Sequence, residues 1–169
     1  MRIWIRKTFF LLKNHIIQIF CVNLRFDIPK RSPHRAKKGI NQNENMSENL
    51  KNLTGDEDGM ATYDYIVNNV DSCEESMPEL VDNLRRVDIS GQFLASTARF
   101  LCAVDREKFS GWIQPLVEGA IEKDRERRYI GSLLQAIWGA DYMERAEELK
   151  SSDDTFRRIF KRVYPGEGI

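Results

Sequence analysis

From Met60 to Val163 the large apolar residues return every three or four positions, and they never alternate with polar ones over a useful length. That spacing gathers apolar side chains on one face of a helix. It would scatter them over both faces of a strand. The chain beyond Met60 is therefore expected to be all-α.

The stripes and their ends lay out six or seven short helices. Tyr63, Ile66, Val67 and Val70 form the first stripe, with Thr62 as a candidate cap. "SMPE" has the form of a capping box, Ser76 to Glu79, with Pro78 in the first turn, ahead of Leu80, Val81 and Leu84. Asp88 or Ser90 opens a third helix carrying Phe93, Leu94, Thr97, Phe100, Leu101 and Val104. The longest stripe follows Asp105: Phe109, Trp112, Ile113, Leu116, Val117, Ala120 and Ile121. Pro115 falls within it, so a kink or break is expected near Trp112. A fifth helix presents Tyr129, Ile130, Leu133, Leu134 and Ile137 and stops at Gly139. A short sixth covers about Met143–Leu149. The last is capped by Ser152 or Asp153, carries Phe156, Ile159, Phe160 and Val163, and ends at Pro165 and Gly166.

Connections this short make sequence neighbours pack antiparallel, as a compact bundle. One similarity points to a helix-pair repeat. "FLASTARFLCAVD" (Phe93–Asp105) and "YIGSLLQAIWGAD" (Tyr129–Asp141) agree in residue class at most places and stand 36 residues apart, a period suited to helix pairs. Only Ser96/Ser132 and Asp105/Asp141 are identical, and the halves that follow do not match. Any two amphipathic helices would align this well, which favours an irregular bundle.

Ahead of the helices the composition changes. Residues 1–45 hold ten Lys/Arg against two Asp/Glu, and residues 46–88 hold three against eleven. Residues 1–22 form a basic apolar leader, interrupted by Lys13, Asn14 and His15 and too short to span a bilayer. It reads as an amphipathic surface helix or as a mis-assigned upstream extension. Lys, Asn, Ile and Phe make up 21 of the first 45 residues but 23 of the remaining 124, the mark of translated AT-rich sequence. Translation would then start at Met46 or Met60 rather than Met1. Residues 23–59 are highly charged with few large apolar side chains, the composition of a disordered linker. The helical domain is assigned to residues 60–165.

The residue inventory argues against catalysis. Both histidines, His15 and His34, precede the helical region, so a Ser-His-Asp or Cys-His system cannot be assembled there. Cys21, Cys73 and Cys102 form no CxxC pair, which suits a reducing cytoplasm. Cys102 is expected to be a buried, inert thiol. The acidic "DEDG" at 56–59 lacks calcium-loop spacing and reads as a solvated run. No cofactor or metal is implied.

Binding features are clearer. "KDRERR" supplies Lys123, Arg125, Arg127 and Arg128; "RRIFKR" supplies Arg157, Arg158, Lys161 and Arg162, opposite the apolar stripe of the last helix. Trp138 and Tyr142, one turn apart, are expected to pack in the core or, if exposed, to form an aromatic-plus-arginine set with Arg127 and Arg128. The expected function is a small soluble, cytoplasmic, non-catalytic protein-interaction module, an adaptor or regulatory subunit whose partner carries an acidic segment. Two alternatives accompany it: a nucleic-acid-binding regulator using the basic last helix, and a membrane-peripheral protein anchored by residues 1–22. The sequence leaves the oligomeric state open.

Overall fold

The computed structural model describes residues 53–166. The leader and most of the expected linker lie outside the described residues. Within them there are seven α-helices and no strand: α1 (Met60–Asn69), α2 (Met77–Val87), α3 (Gln92–Asp105), α4 (Ser110–Lys123), α5 (Gly131–Trp138), α6 (Ala146–Ser152) and α7 (Asp154–Val163). Single 3-10 turns at Leu53–Gly55 and Glu74–Ser76 precede α1 and α2.

The helices stack as three antiparallel pairs. α1, α3 and α5 lie side by side in one layer, and α2, α4 and α7 in a second. Each first-layer helix packs on its partner, α1 on α2, α3 on α4 and α5 on α7, while α6 packs on α7 as an extra element. The core runs between the layers through Ile66, Leu84, Leu94, Leu101, Leu116, Leu133, Leu134 and Phe156, all fully buried. "FLASTARFLCAVD" and "YIGSLLQAIWGAD" thus occupy equivalent places, α3 and α5 with the residues flanking them, so their likeness reflects a shared position in the stack.

The device that repeats most closely is the turn entering each first-layer helix. Asp56, Asp88 and Asp124, 32 and 36 residues apart, are buried. Each carboxylate accepts the backbone N–H six residues on: Thr62 at 3.0 Å, Leu94 at 2.9 Å and Ile130 at 2.8 Å. Asp56 also takes the N–H groups of Gly59 and Ala61 and the Thr62 hydroxyl. Asp88 takes those of Ser90 and Gly91 and the Ser90 hydroxyl, and Asp124 those of Arg128 and Tyr129. The first N–H groups of a helix have no partner within it. These carboxylates supply one from inside the protein.

The third residue of each turn is left-handed: Gly59 (φ 96°), Gly91 (φ 78°) and Arg127 (φ 61°). Glycine is favoured at the first two for a second reason. A Cβ on Gly59 would lie 3.4 Å from the Cβ of Asp88, and one on Gly91 only 3.0 Å from the Asp124 nitrogen. Each turn thus seats directly on the next. Among the described residues no further turn of this kind follows the third, and there a side chain is accommodated at the cost of a left-handed non-glycine backbone, about 1 kcal/mol or more.

Several local expectations are corrected. Asp56 is no solvated residue but an anchor, and packing begins upstream of residue 60, since Leu53 is buried in the core. Ser76 makes no side-chain cap bond; the 3-10 turn before it runs straight into α2, with the Met77 N–H donating to the Glu74 carbonyl. α4 is not broken at Pro115 but continues from Ser110 to Lys123. The carbonyl that loses its bond there belongs to Gly111, exposed to solvent in the first turn. Asp105 caps the turn after α3, accepting from Lys108 N at 2.9 Å, and α4 itself starts after Phe109. Asp153 caps α7 as expected, accepting from Phe156 N at 2.9 Å.

Two glycine substitutions should diverge. Gly111→Ala, with open space around its Cβ, should stabilise the protein by about 0.5–1 kcal/mol in urea unfolding. Gly91→Ala should destabilise it by roughly 2 kcal/mol or more, through strain and collision with the third turn. Asp88→Ala, which strands several buried N–H groups, should cost about 3 kcal/mol.

Candidate functional site

Antiparallel stacking sorts the side chains to two ends of the helical stack. The end holding the aspartate turns collects the C-termini of α2, α4 and α7. Arg85 and Arg86 lie in the last turn of α2, Lys123 in that of α4, and Lys161 and Arg162 in that of α7. Arg125, Arg127 and Arg128 add to these from the third turn. Cations at helix C-termini are favoured by the macrodipole. Here three elements converge: Lys123 Nζ donates to the Arg85 carbonyl, and Arg162 donates to the Ile121 and Asp124 carbonyls. The carboxylates that could neutralise this end, Asp88 and Asp124, are turned inward. Exposed Glu122 and Glu126 remain, Glu126 paired with Arg128 at 2.5 Å. The first turn differs, carrying exposed Glu57 and Asp58.

The opposite end is mainly acidic. Asp71, Glu74, Glu75, Asp105, Glu107, Asp141, Glu144, Glu147 and Glu148 are exposed there, with Lys108 bridging to Glu74 at 3.0 Å across two pairs. The balanced charge of the chain, 26 Lys/Arg against 26 Asp/Glu, therefore conceals an electrostatic axis along the helices.

The residues expected to bind fall into two groups. Arg127, Arg128 and Lys161 are exposed at the basic end, joined by Arg85, Arg86 and Arg125. The others make contacts within the protein. Arg157 pairs with Asp154 on its own helix. Arg158 reaches Glu118 of α4 at 2.6 Å, a charge-assisted bond that raises the guanidinium pKa. The cationic side of α7 is thus partly an interface with α4. Trp138 Nε1 donates to Asp153 at 2.9 Å, and its ring meets Phe156 edge-on at 5.2 Å. The Tyr142 and Tyr164 hydroxyls are 2.9 Å apart. Trp138 and Tyr142 thus belong to an aromatic cluster closing the last pair.

Arg85 and Arg86 were not among the expected site residues. The signal was present, since they are the last-turn cations of α2, but only the stack brings them beside "KDRERR".

Other features offer less. A cleft of about 170 Å³ lies between α3, α4, α5 and α7, lined by Arg106, Gln114, Trp138 and Asp153 among others. Its charged groups are engaged, Arg106 with the Ile137 carbonyl at 2.7 Å and Asp153 with Trp138. Among the described residues no cluster could hold a metal ion, and no helix is long and apolar enough to cross a membrane. Cys102 is half-buried rather than buried, its thiol donating to the Ala136 carbonyl at 3.2 Å. Burial pushes both its pKa and that of Cys73 up, away from the thiolate form needed for reactivity.

The chain matches no protein-family model, no curated protein and no solved structure. Its function has to be argued from its own geometry.

The tyrosine pair has a pH signature. The hydrogen bond it shares with Tyr164, together with burial, keeps the Tyr142 hydroxyl protonated, with its pKa pushed up to about 12. An unfolded tyrosine ionises near pH 10. The folded state therefore keeps its proton longer, and stability should fall as pH rises from about 10 toward 12. Urea midpoints across that range should show the fall, and Tyr164→Phe should reduce it.

Proposed function

We propose that this chain is a non-catalytic helical interaction module, an adaptor or regulatory subunit, that docks an acidic segment of a partner protein on its basic end. The observation carrying this is the segregation of charge. Eight cations from four elements gather at one end, while the nearest aspartates are used internally. Complementary charge steers encounter and selects partners, and stacked helix pairs suit such a role because they offer a rigid, extended surface. An acidic protein segment fits better than a phosphate backbone. Residues 46–169 carry 24 acidic against 16 basic residues, so a nucleic acid would meet net repulsion outside the patch. Arg158 and Arg162 on α7 are also already committed to α4. A cytoplasmic setting accords with cysteines that form no CxxC pair.

A labelled polyglutamate peptide should bind the full chain at low salt, by fluorescence anisotropy, with affinity falling as salt rises. The double variant Arg86→Glu/Arg125→Glu should weaken it at least five-fold, about 1 kcal/mol, with an unchanged helical circular-dichroism spectrum. No binding at low salt, or a duplex DNA probe binding more tightly, would remove the proposal.

A further inference from the structure

One side chain at the basic end is out of place. Ile89 is 84% exposed, in the second turn, immediately after the buried Asp88. The same place in the first turn holds Glu57 and in the third Arg125, both exposed. A position that accepts a carboxylate in one copy and a guanidinium in another makes no demand for an apolar side chain. The fold therefore gives no reason for isoleucine there.

Single exposed aliphatic residues are common on protein surfaces, so the surroundings of Ile89 decide its meaning. Arg85 and Arg86 precede it in the last turn of α2. The turn it sits on touches the third turn, through the approach of Gly91 to Asp124, which puts Arg125 on the neighbouring loop. Lys123 is bonded to the Arg85 carbonyl. Ile89 is thus an exposed apolar point between the cations of α2 and those of the third turn, with the acidic first turn (Glu57, Asp58) on its remaining side, an apolar centre within a charged rim.

We infer that the segment docked here is amphipathic: an acidic peptide of a partner protein carrying an aliphatic side chain that covers Ile89, with carboxylates facing Arg85, Arg86 and Arg125. This rests on the interaction proposed above and specifies its ligand. Cations alone favour a negative charge but do not discriminate among acidic sequences. An apolar contact at the centre does, because burying it adds affinity that a purely acidic segment cannot gain.

Two labelled peptides of equal length separate the possibilities, one of glutamate alone and one of glutamate with leucine at helical spacing. The full chain should bind the leucine-bearing peptide about ten-fold more tightly. Ile89→Ser should abolish that preference while leaving the polyglutamate affinity and the melting temperature unchanged. If both peptides bind alike and Ile89→Ser changes nothing, the anchor is overturned and the basic end stands as a simple electrostatic surface. If neither binds, both proposals fall. Self-association of the protein alone in analytical ultracentrifugation, abolished by Ile89→Ser, would assign the surface to a second copy and overturn the peptide ligand.

Discussion

The buried aspartate at the entry to each first-layer helix is the contact on which the rest of the stack depends. Reversing from a second-layer helix into a first-layer helix exposes backbone N–H groups just where the chain dives back into the core. Several of them are buried there, and an unpaired buried donor is costly. One carboxylate answers several donors at once and fixes the turn, with a left-handed residue at its third position in all three copies. Because each turn seats on the next, the geometry of one pair fixes the spacing of its neighbour. The apolar stripes then meet at the right height to close the core.

The same device sets the surface electrostatics. Helix C-termini attract cations, and a soluble protein would ordinarily intersperse them with exposed carboxylates. In the second and third turns the aspartates face inward, leaving arginines and lysines around them with few opposing charges. The basic end is thus a by-product of how the turns are built as much as a feature of the cations. At the other end, among the described residues, Asp153 is half-buried as the cap of α7, while most of the acidic residues stay in solvent.

Much of the helical layout could be read from periodicity, because burial alone dictates it. Asp88 and Asp153 were recognisable as helix starts for the same reason. Asp56 was not: within "DEDG" it is one acid among three, and only its distance to Thr62 in space separates anchor from solvated charge. The third copy hid the pattern further, since Arg127 replaces the glycine that the other two turns share. At the site, the helical period placed the cations of α7 opposite its apolar stripe, but it carried no information on reach. Arg158 and Arg162 have side chains long enough to bend round to α4, whereas Lys161 stays in solvent. Arg85 and Arg86 joined the patch only through stacking, a relation between residues nearly 40 positions apart that no local pattern encodes.

Arg127 also bears on how such a chain could grow. Internal duplication of a helix pair is the simplest way to lengthen a stack of this kind, and the acceptor surface for a new turn would be the third one. A Cβ stands there where the two earlier turns present bare backbone to their successors. A pair added in the same geometry would meet that one atom first. Lengthening the stack would thus call for a change at a backbone position remote from the core.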